Sequence, residues 1–263
     1  MWGFERQPSD EIRANFEIEY TVPSECARAL AEGRADIGIV PVITYASIPD
    51  LVVIPRVAIA ARGAVRSIFL FSRCPIEQIE RVAVDSSSRT SVALTQVLLS
   101  RFFGGRRELV SMPPDLPTML ARCHAALIIG DPALVAGIRP PEGEHRLFRY
   151  DLSQLWYERT GKPFVFAVWA MRRQALEEMR PGLPVNRIFQ NSRDAGLQPE
   201  NLRQICCEWS RRLGLTPEEV LSYLTCSIHY ELDEACLQGL ELFFQYAAEC
   251  QAAPPAPTLS FLP

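Results

Sequence analysis

Short apolar runs that alternate with amphipathic stretches as far as Trp169, and then cease, constrain this 263-residue chain more than any other feature. Asp36 to Val40, Ser67 to Ser72, Arg81 to Asp85, Glu108 to Ser111, Ala125 to Ile129 and Phe164 to Trp169 read as strands. Runs this short and this apolar suit strands covered on both faces. Leu51 to Pro55 and Val57 to Ala60 read as two further strands, and the alternation of Phe16, Ile18 and Tyr20 with polar neighbours as another. Pro23 to Glu32 is expected to be helical, since Pro and acids favour a first turn and Gly33 supplies a stop. That makes residues 16 to 40 a β-α-β unit. Ile76 to Ile79 reads as a helical turn and Pro117 to Arg122 as a helix. Leu94, Val97, Leu98 and Phe102 mark one helix, and Trp156 to Thr160 ends another at Gly161. Beyond Met171 only helical spacing remains, broken near Gly182-Leu183-Pro184, Gly196 and Gly214. The pattern predicts an α/β protein with a largely parallel sheet and an all-helical C-terminal extension. Ala252 to Pro263, with four prolines, is expected to fray.

Composition excludes several classes. Hydrophobic residues at 48% and charged residues at 22% are globular proportions, so a packed core is expected. The net charge of -4 argues against a general nucleic-acid binder and leaves any anionic ligand to local positive groups. No apolar stretch approaches the roughly 20 residues that span a bilayer. The N-terminus lacks the basic and apolar regions of a secretory signal, so a cytoplasmic location is expected. Eight cysteines without a CxxC and three scattered histidines (His124, His145, His229) predict neither a metal site nor a disulfide scaffold. There is no GxGxxG, no Walker loop and no triad spacing, which disfavours nucleotide cofactors.

Three strand-to-loop junctions carry candidate chemistry. Asp85-Ser86-Ser87-Ser88-Arg89-Thr90-Ser91 ends a strand and opens a helix. Helix N-termini expose unpaired N–H groups and favour negative charge, and Arg can grip a carboxylate with two bonds. A serine-rich cap without a ligand fits the same residues. Gly130-Asp131 ends a second strand: Gly130 allows close backbone approach and Asp131 can orient a hydroxyl, or can simply cap the next helix. Thr44 and Tyr45 follow a third strand. Arg66 precedes the Ser67 strand and reads most simply as a surface charge.

Several segments together resemble the chorismate dehydratase family of the futalosine route to menaquinone. They are Val22-Pro23-Ser24-Glu25, Ala31 to Gly38, Val65 to Arg73, Asp85 to Leu94, Ile128 to Asp131, Leu155 to Gly161 and Pro163 to Trp169. The resemblance runs over nearly the whole chain, with the Ser-Ser-Arg-Thr-Ser loop and the Pro-Phe-Val-Phe-Ala-Val-Trp strand as its most specific marks. It implies a two-lobed, type II periplasmic-binding-protein-like fold. Residues 1–66 with 164–263 would form one lobe, 67–163 the other, with strands crossing at 67–72 and 164–169. It also implies loss of water from chorismate to give 3-[(1-carboxyvinyl)oxy]benzoate, without metal or redox cofactor, the substrate's own enolpyruvyl carboxylate taking the proton.

On that resemblance Ser86, Ser87, Arg89, Thr90 and Ser91 hold a substrate carboxylate, while Thr44, Tyr45, Ser67, Gly130 and Asp131 face the rest of a small anionic substrate. Family members open with a strand and a Ser-Tyr-Leu-Asn-like segment whose Asn sits in the active site, and this sequence starts at Met1-Trp2-Gly3-Phe4, after that point. A start placed too far downstream is the favoured reading; a true truncation is expected to be inactive. Two rivals remain. A 1,4-dihydroxy-6-naphthoate synthase-like enzyme would use a histidine base, and a non-enzymatic solute-binding protein would carry an export signal.

Overall fold

The structure, a computed structural model, describes residues 1–85, 88–139 and 147–263. The chain begins with two short helices, α1 (Trp2–Glu5) and α2 (Asp10–Asn15), followed by α3 (Pro23–Ala31) and β1 (Ile37–Pro41). A 3-10 turn at Val42–Ala46 leads into β2 (Leu51–Ala61) and β3 (Ile68–Ser72). Then come β4 (Arg81–Val84), α4 (Arg89–Phe102), β5 (Glu108–Ser111), α5 (Leu116–Arg122), β6 (Ala125–Ile129) and α6 (Gly130–Ile138). β7 (Phe148–Asp151), α7 (Leu152–Thr160) and β8 (Phe164–Arg172) complete the sheets. Helices α8 (Arg173–Glu178), α9 (Val185–Gly196), α10 (Pro199–Leu213) and α11 (Pro217–Ser222), a π-helical turn at Tyr223–Ser227, and α12 (Glu234–Glu249) follow.

The strands form two sheets, one ordered β1-β8-β2 and the other β5-β4-β6-β3-β7. The first is antiparallel throughout, and the second is parallel only where β4 meets β5 and β6. The expected largely parallel sheet is therefore wrong. A long excursion separates β1 from β8 and lets the chain return in the opposite direction, which local alternation cannot reveal. The segments expected to cross, 67–72 and 164–169, each lie within a single sheet.

Three further expectations are corrected. Residues 16 to 22 form no strand, because among the described residues no strand lies beside them, and a strand is held by a neighbour's ladder. Instead Phe16 packs on Phe4 and Phe4 on Phe189, with centroids 5.3 and 4.9 Å apart, while Tyr20 is 68% exposed. The runs at 51–55 and 57–60 are one strand whose register shifts between Val53 and Ala58, where Arg56 adopts a φ of 64°. The tail does not fray. Phe261 bridges Val53, Leu262 is buried, and Ser260 donates its N–H to the Tyr45 hydroxyl at 2.9 Å.

One hydrophobic core runs continuously between the sheets. Ala60 and Val168 from the first, Leu70 and Val82 from the second, and Leu94 (α4), Trp156 (α7) and Phe243 (α12) belong to it. Trp156 has no exposed surface, gives its indole N–H to the Pro163 carbonyl at 3.2 Å, and meets Phe164 and Phe243 edge-on. Truncating a buried Trp to Ala costs about 3–5 kcal/mol, so this residue anchors the return from α7 into β8. The outer face of the first sheet packs Val52, Ile54 and Met171 against Phe4, Ile188 and Phe189. The outer face of the second packs Phe71, Ala83 and Ile128 against Met119 and Leu120 of α5. Leu134 of α6 joins Cys206, Leu215 and Val220 in a smaller cluster, so the C-terminal helices reach the second sheet's side as well.

Candidate active site at the sheet ends

The register of the second sheet places the junction loops together. β4 and β6 run parallel and β3 runs against β6, with Ile68 opposite Ile129. The segment after Val84, the start of β3 and the end of β6 therefore share one edge. Gly130 fixes part of it: its φ of 68° is a conformation other residues adopt at a cost, and its N–H donates to the Ser67 carbonyl at 2.8 Å.

At the first junction Ser88 precedes α4, and its side chain makes no capping hydrogen bond. The opening turn of this 14-residue helix points N–H groups toward that junction, a suitable place for an oxygen-rich ligand. Thr90 and Ser91 are buried and Arg89 is exposed. The Thr90 hydroxyl accepts the Ile43 N–H at 3.4 Å, which ties this junction to the turn after β1. Ser86 and Ser87 lie outside the described residues.

The other expected site residues divide. Ser67 is 5% exposed and accepts a 3.0 Å hydrogen bond from the Tyr223 hydroxyl. Gly130 and Asp131 are exposed at the start of α6, and Asp131 lies close enough to Tyr223 to disfavour its ionisation. Thr44 is 1% exposed and donates to the Pro41 carbonyl at 2.6 Å, closing its own turn. Tyr45 is directed at the C-terminal tail: its hydroxyl lies 3.4 Å from both the Leu51 and Thr258 carbonyls and accepts from Ser260. Those contacts turn the Tyr45 hydroxyl toward backbone and away from the junction loops.

Two residues enter that the sequence did not single out for the site. Arg66 is half-buried with a φ of 61°, not a free surface charge. Its backbone N–H reaches Asp151 at 2.6 Å, and its guanidinium donates to Ser227 at 2.8 Å and Ser222 at 3.0 Å. Tyr223 stands on the π-helical turn, an element that recurs at functional sites. Burial pushes its phenol above the ordinary value, the Ser67 hydrogen bond and Arg66 work against that, and Asp131 adds to it, so it remains a donor at neutral pH. Burial also raises the Asp151 carboxyl, against the N–H groups of Arg66, Gln154, Val65 and Ser153 that converge on it.

Neither described histidine reaches the junctions. His124 precedes β6, roughly 20 Å from Gly130 at strand rise, and its Nδ1 accepts the Arg81 N–H. His145 lies outside the described residues. His229 bonds Asp233 at 2.8 Å, and the ligand atoms of His229, Asp233 and Cys236 fall within 4.8 Å of one another. Arg62 also bonds Asp233 and supplies the positive charge there. Two cavities lie apart from the junctions. One of about 430 Å³ is lined by Leu176, Met179, Leu183 and Leu262, and one of about 390 Å³ by Trp169, Trp209 and Tyr230. The first is apolar, and neither includes a junction-loop residue.

Solved structures share this architecture. A protein from Archaeoglobus fulgidus aligns with a TM-score of 0.67 at 17% identity, over 88% of this chain and 84% of that one. The periplasmic aliphatic sulphonate binding protein of Escherichia coli aligns at 0.61 and 16%, over 94% and 83%. An alkanesulfonate-binding protein of Xanthomonas axonopodis aligns at 0.62 and 14%, over 90% and 83%. The chain thus has the periplasmic-binding-protein-like α/β fold, with helices following its last strand. Residues 1–249 match the menaquinone biosynthesis family, and the chain belongs to it. The chorismate dehydratase of Thermus thermophilus is 34% identical over 254 residues, which cover 92% of this chain and 89% of that protein. Among the described residues no helix is long and apolar enough to cross a membrane.

Proposed function

We propose that this protein is a chorismate dehydratase, a hydro-lyase that converts chorismate to 3-[(1-carboxyvinyl)oxy]benzoate. The observation that carries the reading is its 34% identity to the Thermus thermophilus enzyme across nearly both chains. The α4 terminus, at the sheet edge it shares with Ser67 and Gly130, supplies a chemically suitable place.

In this reaction a ring C–H bond breaks, hydroxide leaves the neighbouring carbon, and the proton and hydroxide depart as water. The new double bond completes an aromatic ring, which drives the step forward. The protein is left to hold a doubly anionic substrate and to direct proton and hydroxide. In this account the α4 terminus, with Ser86, Ser87, Arg89, Thr90 and Ser91, holds one carboxylate. Asp131, exposed beside Gly130, orients the departing hydroxyl. The enolpyruvyl carboxylate takes the proton, so the described histidines have no part to play. Residues 1–66 with 164–263 and residues 67–163 serve as the two lobes around the substrate, and the enzyme works in the cytoplasm on a small diffusible anion.

Incubating the protein with chorismate and following the mixture by mass spectrometry tests the reading. A product lighter by one water, with the absorbance of a substituted benzoate, is expected. Saturable chorismate binding without conversion would favour a solute-binding role instead.

A further inference from the structure

Arg66 and Tyr223 meet where the two sheets are joined, beside Ser67 and Asp131. Two of the five N–H donors of a guanidinium are taken by the neutral hydroxyls of Ser222 and Ser227. Among the described residues Arg66 makes no ion pair, although it is half-buried. Its remaining N–H groups can still serve an anion, and a guanidinium grips a carboxylate with two parallel bonds. Tyr223 lies in sequence between the two serines that hold Arg66, and its phenol, bonded to Ser67 next along the chain from Arg66, adds a neutral donor. Arg66 cannot swing away freely. Its backbone is pinned by Asp151 and its side chain by Ser222, just before the π-helical turn, and Ser227, at its end.

We propose that the Arg66 guanidinium and the Tyr223 hydroxyl form a second carboxylate subsite, which takes the substrate carboxylate that the α4 terminus does not hold. The proposal rests on the dehydratase reading for the identity of the ligand. The Ser67–Tyr223 hydrogen bond keeps the phenol oriented while the subsite is empty, and the incoming carboxylate competes with Ser67 for its proton. Two anchors at separate places on the sheet end select a dicarboxylate over a monocarboxylate of similar ring size. Asp131 beside Tyr223 disfavours an anion placed too far toward α6 and so sharpens the position.

Chorismate turnover is measured for the wild type, Tyr223→Phe, Arg66→Gln and Arg66→Lys, alongside calorimetric titration with the aromatic product and with benzoate. A hydrogen bond to a charged group accounts for about tenfold to a hundredfold in affinity. Tyr223→Phe should raise KM and the product's Kd by about tenfold with a smaller change in kcat, and should lower the melting temperature only modestly through the lost bond to Ser67. Arg66→Gln should lose more, and Arg66→Lys should recover part of it. Benzoate, with one carboxylate, should bind the wild type more weakly than the product, and the two affinities should converge in Arg66→Gln. A wild type that converts chorismate while the folded variants keep its KM and Kd overturns the subsite and leaves the dehydratase reading intact. A wild type that neither converts chorismate nor binds the product overturns both. Should the wild type bind the product without converting it, a loss of that binding in Arg66→Gln supports the subsite alone, and retention overturns it.

Discussion

Gly239 of α12 lies directly against Pro163: a Cβ at Gly239 would overlap the Pro163 carbonyl oxygen, the same oxygen that accepts the Trp156 indole N–H. The return from α7 to β8 is therefore held between a tryptophan and a helix that must present bare backbone. Gly239→Ala should destabilise the protein by about 1–3 kcal/mol through overpacking, despite alanine's better helix propensity. Urea unfolding checks this. An unchanged or raised midpoint would mean that α12 sits further from the crossover.

Tyr45 gives a prediction that separates structure from catalysis. Its hydroxyl accepts the Ser260 N–H, so Tyr45→Phe leaves a backbone donor without its partner and should cost about 1–3 kcal/mol. KM and kcat for chorismate should stay within about twofold, since a change of that size is well under 1 kcal/mol. A large rise in KM at unchanged stability would place Tyr45 in the substrate site instead.

Arg89 is exposed at the first position of α4, so its removal should spare the fold. Arg89→Ala should raise KM for chorismate by about tenfold or more through loss of a charge-assisted pair, with less effect on the melting temperature. Added salt should narrow the gap between wild type and variant, because an exposed charge is screened. Equal KM values at low salt would remove Arg89 from substrate binding.

The Asp233 network predicts acid sensitivity. Burial works against the ionised carboxyl, but the Cys236 N–H, His229 and Arg62 outweigh it and hold Asp233 at about 2. Burial, with Asp233 beside it, pushes the Cys236 thiol up to about 12, so the thiol stays protonated. A carboxyl depressed in the folded state stabilises it above the unfolded value and stops doing so as pH falls through the folded one. The contribution should therefore fade between about pH 4 and pH 2. Urea midpoints across that range should drop more steeply for the wild type than for Asp233→Asn. Parallel pH profiles would show that the pairing adds nothing.

Strand and helix types were legible wherever a run was buried by its immediate neighbours, as at Ile37 to Val40, Ala125 to Ile129 and Phe164 to Trp169. The direction of pairing was not, because β1 ends at Pro41 and β8 begins only at Phe164, and nothing local to either encodes that they run oppositely. Phe16 to Tyr20 shows the converse failure, with correct alternation and no strand beside it. The tail misled because its prolines mark the absence of helix, while Phe261 pairs by its backbone with Val53 and Leu262 gains burial only against β2 and α9. Of the site, the serine-rich turn and the Gly130 junction were visible as strand ends followed by special residues. Arg66 and Tyr223 were not, since they are brought together only when α11 and its π-helical turn fold back on the start of β3.

The structure of the protein with the aromatic product bound tests the central claim most directly. The product's carboxylates should lie at the first turn of α4 and beside Arg66 and Tyr223, with the ring between Thr90 and Gly130. Product seated in the cavity lined by Trp169 and Trp209, with both of those positions empty, would contradict the account.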